Sequence, residues 1–449
     1  MGQKIDRTYL FERMPVGQAV RRQIIPSIAS QMVILLYNLA DTYFVGLLND
    51  AAQTAAVSLA YSMTLLMTAL ANLFAVGGAG RIAQLLGRRD RDGAREVCAV
   101  SFWFALLASA AFCVLFTLLS SPILRLCGAT DETYALACGY SRWVISVGGT
   151  FSILNTVLAN LIRADGSAFA ASMGVSAGGI INMLLDPLFV LPRFLGMGAE
   201  GAGLATAISN AAGMLILLGI IAARRRVGVV ALRPGDLRAA RRHIGRILRI
   251  GLPSAVQFLL TLVAVGALTK FMSLYDTAAV AALGIVKKLD MLPLYFSIGV
   301  ANGLLPLLAY NYSAENHERR HRIFLCGCAV AVGFSVVCVA GYEVFAPALV
   351  RIFIGDAQTI AYGTKLLRIM VLAMPMMSVC YPMITQFQAM GRMRESLICS
   401  ILRKGSLDIP LLFVLNALFP LYGCAAVQPI VDCICMIVAI YFYKKLPTA

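Results

Sequence analysis

The sequence predicts an all-α polytopic membrane protein: twelve transmembrane helices in two pseudo-symmetric six-helix lobes. Three observations carry this. Hydrophobic residues make up 60% of the 449-residue chain and charged residues only 13%, with a mean hydropathy of +0.81. Soluble domains carry about 25% charged residues, so no soluble fold of this length could hide so much apolar surface. Twelve apolar runs are each long enough to cross about 30 Å of hydrocarbon. Finally, landmarks in the first half return in the same order in the second, which reads as one unit present twice.

The runs lie at 24–47, 54–80, 96–119, 138–162, 169–191 and 201–222, then 250–274, 278–310, 323–346, 360–388, 396–417 and 422–443. They are spans 1 to 12. Pro26-Ser27 opens span 1, and Pro253-Ser254 opens span 7, 227 residues on. Gly166, between spans 4 and 5, matches Gly391, between spans 10 and 11, 225 residues on. The glycine-led start of span 6 at Gly201 matches Gly423 at the start of span 12, 222 residues on. Six helices per copy is an even number, so both copies enter the membrane in the same direction. The expected division is 1–223 as the first lobe, 224–249 as a linker and 250–449 as the second lobe. In the linker, Asp236 follows Pro234-Gly235 as a helix cap, and Leu237, Ala240, Ile244, Ile247 and Leu248 recur at helical spacing among arginines. That pattern predicts an amphipathic helix on the membrane surface. Prolines at Pro293 and Pro306, and at Pro375 and Pro382, predict breaks in spans 8 and 10.

The net charge of +16 could suggest nucleic acid, but its placement argues otherwise. With the amino terminus inside, inner segments hold 27 basic residues and outer turns three, namely Arg125, Arg193 and Arg351. This bias places both termini in the cytoplasm and makes anionic lipid, not nucleic acid, the partner of the basic surplus. No cleavable signal is read in the first 23 residues, whose apolar run continues into span 1. The twelve cysteines lie almost entirely in apolar runs, with no paired CxxC set, and read as packing residues.

Ionisable groups inside spans are costly and mark candidate sites. Asp41 lies two-thirds along span 1, with Tyr37 and Asn38 one turn earlier. Asn182 and Asp186 share one face of span 5, where Pro187 cannot donate and so frees the carbonyl of Met183. Span 6 adds Thr206 and Asn210, again four apart, and span 4 offers Asn155 and Asn160 nearby. Carboxylates, amides and a hydroxyl form an oxygen-rich set suited to a hard cation or a proton. Two carboxylates brought together in low dielectric cannot both stay charged and unpaired; a proton or Na+ would relieve them. The second lobe instead carries Lys287, Lys288 and Asp290 in span 8, Arg403, Lys404 and Asp408 in span 11, and Asp432 in span 12. These fit either a substrate-facing charge network or static pairs, with Arg403 and Lys404 snorkelling to the inner surface.

The doubled layout and four motifs resemble the multidrug and toxic compound extrusion (MATE) family, closest to its DinF-like bacterial branch. The motifs are P-S-x13-D-x4-G (Pro26, Ser27, Asp41, Gly46), N-x3-D-P (Asn182, Asp186, Pro187), the glycine-rich opening of span 6 with Thr206, and P-x4-N-Y (Pro306, Asn311). The resemblance covers essentially the whole chain. It implies cation coupling at Asp41, Asn182, Asp186 and Thr206, with Na+ or H+ as coupling ion and no other cofactor. Other branches carry acids in spans 7 and 10; this chain has none there. Ser313 stands where many relatives have glycine after the Asn-Tyr pair.

Two further motifs are refused. His317-Glu318-Arg319-Arg320-His321 matches the zinc-protease HExxH but lies in a short basic turn without an obvious third ligand. Gly196, Gly198 and Gly201 match a dinucleotide fingerprint without the strand that the phosphate turn requires. No P-loop occurs, so direct ATP drive has no support.

The expected protein is therefore not an enzyme. It is a cation-coupled antiporter of a bacterial cytoplasmic membrane, acting as a monomer and exporting organic, cationic or amphipathic solutes. Met63, Met67, Phe258, Tyr295 and Met376 are the expected cavity lining. The alternatives are a flippase for a lipid-linked precursor, which basic residues in spans 8 and 11 would serve, and a membrane zinc protease resting on HERRH alone.

Overall fold

A computed structural model describes residues 8–48, 50–126, 131–225 and 228–445. The chain ends and part of the linker, for which cytoplasmic and surface placements are expected, lie outside these residues. The first lobe contains α1 (Val16–Gly46), α2 (Ala51–Gly87), α3 (Arg91–Leu126), α4 (Asp131–Ser141), α5 (Gly149–Ala164), α6 (Ala168–Val190) and α7 (Gly198–Arg224). The second contains α8 (Ala240–Met272), α9 (Thr277–Ser313), α10 (His317–Arg351), α11 (Ala357–Val371), α12 (Met374–Ala389), α13 (Met393–Ile401), α14 (Asp408–Leu418) and α15 (Tyr422–Lys444).

Nine of the described helices are long and apolar enough to cross a membrane. Two bent pairs supply the expected spans 4 and 10: residues 133–147 meet α5 at 46°, and α11 meets α12 at 44°. Expected span 11 is the most broken. α13 and α14 are separated by a π-helical turn, Leu402–Ser406, in which Lys404 leaves helical geometry at φ −135°, ψ 19°. Its cluster of charges interrupts the apolar run, and neither the 9-residue α13 nor the 11-residue α14 is long enough alone to cross a membrane.

The internal repeat is visible in backbone detail. The two bends fall at Gly148 and at Leu372–Ala373, about 225 residues apart. Asp50 caps α2 and Asp276 caps α9, each accepting from the backbone N–H two residues on. Arg89 and Glu315 both take left-handed conformations (φ 63° and 58°), and the residues after them, Asp90 and Asn316, both accept from backbone N–H groups three residues on. Gly166 and Gly391 are left-handed as well, at φ 78° and 71°, where a side chain would be strained.

The lobes meet through two matching crossings, α2 on α8 and α1 on α9. Each is close because glycine removes a side chain. A Cβ on Gly77 would sit 2.2 Å from the Ile247 carbonyl oxygen, and one on Gly251 would sit 1.9 Å from that of Leu73. In the other crossing, a Cβ on Gly303 would sit 2.8 Å from the Gln23 oxygen, and one on Gly299 would sit 2.7 Å from Ile28 Cα. All four glycines lie toward the end of the bundle where the described chain termini gather. There the hydroxyl of Tyr443, near the carboxy terminus, bonds His321, while Arg319 bonds the backbone near the amino terminus. We call this the terminal face.

Two expectations are corrected. The linker forms no separate surface helix. After a 3-10 turn, Pro234–Ala239, it runs without a break into span 7 as the 33-residue α8. Its apolar residues are claimed by the core, not by lipid. Ile247 is fully buried against α2, Trp103 donates to the Leu232 carbonyl at 3.2 Å, and His243 pairs with Glu96 at 2.8 Å. Span 8 is not broken either, since α9 passes continuously through Pro293 and Pro306. Of the two spans with paired prolines, span 10 alone bends, just ahead of Pro375.

Candidate functional site

The amino-terminal cluster is assembled by small residues. Gly179 lets α6 approach α1: a Cβ there would meet Val33 Cγ1 at 2.6 Å and Tyr37 Cδ1 at 3.2 Å. Gly178 does the same toward α7, where a Cβ would lie 3.1 Å from the Ser209 carbonyl oxygen. α1, α6 and α7 therefore close around a common axis, with α4 and α5 alongside.

Within it, Asp186 is 0% exposed, Asn182 1% and Asp41 8%. The Asn182 amide donates to Asp186 Oδ1 at 3.3 Å and to Thr206 Oγ1 at 3.4 Å. Asn210 donates to the Thr206 carbonyl at 2.9 Å and accepts from Asn155 at 3.4 Å. The expected residues of spans 4, 5 and 6 thus form one continuous chain of hydrogen bonds. Asp41 is held separately, accepting from the Tyr140 hydroxyl at 3.4 Å.

Four buried oxygens in this cluster have no hydrogen-bond partner: Asp41 Oδ1, Asn155 Oδ1, Asn182 Oδ1 and Asp186 Oδ2. No described cationic side chain pairs with either carboxylate. An isolated aspartate at a helix centre costs about 2.5–3.5 kcal/mol on insertion scales, and each unsatisfied buried oxygen adds to that. The donor set is all oxygen and fits a proton or a hard monovalent cation; it offers nothing to a soft metal. Among the described residues, no three His, Cys, Asp or Glu side chains converge as a metal site.

Not every expected residue joins the cluster. Asn38 turns toward the other lobe, bonding the Ile34 carbonyl at 2.9 Å and the Tyr295 hydroxyl at 3.4 Å. Asn160 bonds only its own helix, at Thr156. Met63 and Met67 are buried in the core, 5% and 4% exposed, with Met67 beside Gly149. Phe258, Tyr295 and Met376 are half-buried. Sequence reasoning missed Tyr140. Its signal was present: a tyrosine in an interrupted span, eight residues before a glycine bend.

The second lobe's charges are arranged differently. Arg403 and Asp432 form an ion pair at 2.8 Å, 1% and 0% exposed. Gln428 donates to the other Asp432 oxygen at 2.8 Å and accepts from Lys404 Nζ at 2.6 Å. The Arg403 guanidinium also lies over the Tyr381 ring at 4.3 Å. Lys287 lies within electrostatic reach of Asp290, Lys404, Asp408 and Asp432. Lys288 has no described ion pair. Of the alternatives left open for Arg403, the structure shows the static pair: its side chain is buried and held by an acid, and does not snorkel.

Of the HExxH residues, His321 and Glu318 are engaged elsewhere, while His317 Nδ1 is buried without a hydrogen-bond partner. His321 bonds Tyr443, Glu318 pairs with Arg322 at 2.6 Å, and Arg319 bonds backbone carbonyls.

Comparison with known proteins agrees with this layout. The multidrug export protein MepA of Staphylococcus aureus (strain NCTC 8325 / PS 47) is 29% identical over 437 residues, 97% of this chain and 95% of its own. A crystal structure of MATE in the straight conformation superposes with a TM-score of 0.91 at 25% identity, covering 98% of both chains. MATE in the bent conformation superposes with a TM-score of 0.88 at 25% identity, covering 98% of this chain and 97% of that one. The MatE family model matches twice, over residues 26–188 and 253–414, reproducing the internal repeat. A multi-pass membrane protein with two such copies, a closely similar fold and full-length relatives belongs to the MatE family.

Proposed function

We propose that this protein is a secondary-active antiporter that exports organic, cationic or amphipathic solutes, including drugs, by exchange for an inward-moving Na+ or H+. Its place is a bacterial cytoplasmic membrane, with the terminal face toward the cytoplasm and anionic lipid against its arginines. The observation that carries this is the pair of buried carboxylates, Asp41 and Asp186, left without a cationic partner in an all-oxygen cluster. Full-length likeness to a multidrug export protein supports the substrate class.

Asp41, Asn182, Asp186 and Thr206 are the residues that would hold the coupling ion, with Tyr140 orienting Asp41. The ion supplies the positive charge that no described side chain brings to these carboxylates. Neutral Asp41 no longer needs the Tyr140 hydrogen bond to offset its burial, which frees α1 to shift against α6. Because α1 also packs on α9 of the other lobe, that shift reaches the lobe interface. Thr206 and Asn210 bind the cluster to α5 through Asn155, so the ion's arrival is felt across the lobe.

A flippase for a lipid-linked anion would call for unpaired basic residues in the second lobe. Arg403 and Lys404 are instead held by Asp432 and Gln428, which favours the antiporter, while Lys288, with no described ion pair, is the residue that keeps the flippase as the second reading. Reconstituted vesicles given separate Na+ and pH gradients test the proposal. One gradient alone should drive solute accumulation against its concentration, and transport indifferent to both gradients would overturn it.

A further inference from the structure

The terminal face carries a contact that ion coupling does not use. Residues Tyr9–Arg13 form a single π-helical turn ahead of α1. Leu10, Phe11 and Met14 are 3%, 0% and 5% exposed, an unusual depth for a segment beside a chain end.

The segment belongs by sequence to the first lobe, but its hydrogen bonds go to the second. Arg319 donates through Nε to the Phe11 carbonyl at 2.8 Å and through Nη2 to the Met14 carbonyl at 2.6 Å. Asn311 donates to the same Phe11 carbonyl at 3.3 Å. Tyr310 stacks its ring on Phe11 at 4.6 Å and donates its hydroxyl to Glu12 at 2.8 Å. On the opposite side, Leu10 and Phe11 fill the space left by Gly166 of the first lobe, whose Cβ would lie 3.2 Å from either side chain. Nearby, a Cβ on Gly87 at the end of α2 would lie 2.4 Å from the Tyr310 carbonyl oxygen, so the lobes are in contact beneath the segment.

We propose that residues 9–14 are a latch that holds the two lobes together at the terminal face and disengages when that face opens. The chain supplies the hinge: Met14 and Pro15 are extended, with ψ 139° and 136°, between the π-helical turn and α1. Opening this face separates Gly166 from Tyr310. Phe11 cannot then remain in contact with both, and either the Arg319 and Asn311 hydrogen bonds break or the segment swings about Met14–Pro15 with the second lobe. The latch gives a role to two sequence features that coupling leaves unexplained. Asn311 of the P-x4-N-Y motif and Arg319 of the HERRH run are its donor-side clasp, with the Phe11 and Met14 carbonyls accepting. The inference rests on the alternating-access reading only in requiring that the terminal face open at some stage.

Hydrogen–deuterium exchange of the full-length protein in lipid nanodiscs, with no ion gradient, tests it. Phe11→Ala and Arg319→Gln should raise exchange about tenfold in the terminal-face halves of α2 (residues 73–87) and α9 (residues 299–313). Exchange in the far half of α9, residues 277–290, should stay unchanged or fall. Tyr310→Phe keeps the ring stack and loses only the Glu12 bond, so it should give a smaller rise confined to the same segments. Unchanged exchange in all three variants would overturn the latch. An equal rise at both ends would overturn it too, since that is the signature of a merely structural anchor. Because no gradient is applied, loss of the coupling assignment would leave this result intact.

Discussion

Asp186 in the first lobe and Asp432 in the second are both fully buried in transmembrane helices, yet they are built for opposite ends. Asp432 has an arginine at 2.8 Å and a glutamine at 2.8 Å, so both its oxygens are satisfied. Asp186 has one amide at 3.3 Å, an unpartnered second oxygen and another carboxylate, Asp41, as its electrostatic neighbour. A carboxylate whose counter-charge is fixed in the protein has no reason to accept another. One without it gains from any proton or cation that arrives. The two copies have thus kept the same backbone plan and differ at these two acids, although Asp408 of the second lobe also keeps one buried oxygen, Oδ2, without a hydrogen-bond partner.

The largest expected effect breaks this comparison on the open side. Asp41→Asn should reduce gradient-driven transport at least about a hundredfold while the protein still purifies as a folded species; near-normal efflux would remove Asp41 from the coupling site. Asp186→Asn should be nearly as severe. On the closed side, Arg403→Gln leaves Asp432 buried with no counter-charge and should cost about 3–5 kcal/mol of stability, measured as a lowered midpoint of thermal unfolding in detergent. Arg403→Met combined with Asp432→Leu should recover most of that loss, because an apolar pair replaces an ion pair with little penalty. Failure of the double variant to recover would mean that the pair has a role beyond mutual neutralisation. The smallest effect sharpens the open side: Tyr140→Phe removes one hydrogen bond to Asp41 and should slow transport by about two- to tenfold.

Much of this was legible in the sequence because membrane burial is costly and therefore sparing. Twelve apolar runs, the offset between Pro26 and Pro253, and the four oxygen-bearing residues at Asp41, Asn182, Asp186 and Thr206 needed only spacing and the price of a buried charge. What spacing does not convey is which neighbour satisfies which group. Asn38 shares a helical face with Asp41 by sequence, yet it reaches across to Tyr295 because α1 packs on α9 at that level. The linker's amphipathic pattern was real, but its apolar stripe found α2 instead of lipid, because Gly77 lets the helix come close. Whether Arg403 snorkels or pairs stayed open in the sequence because its acid partner lies 29 residues away on another helix. Tyr140 was passed over because a tyrosine in an apolar span carries no burial cost of its own until its hydroxyl has a partner.

The central claim is that ion coupling resides in the unpaired carboxylates of the first lobe and not in the paired charges of the second. Reconstituted vesicles under an imposed Na+ or pH gradient test it most directly, by comparing Asp41→Asn with the Arg403→Met, Asp432→Leu double variant. The account predicts that the first loses gradient-driven solute transport and that the second, lacking the buried ion pair, keeps it. Coupled transport that survives in the first and disappears in the second would contradict it.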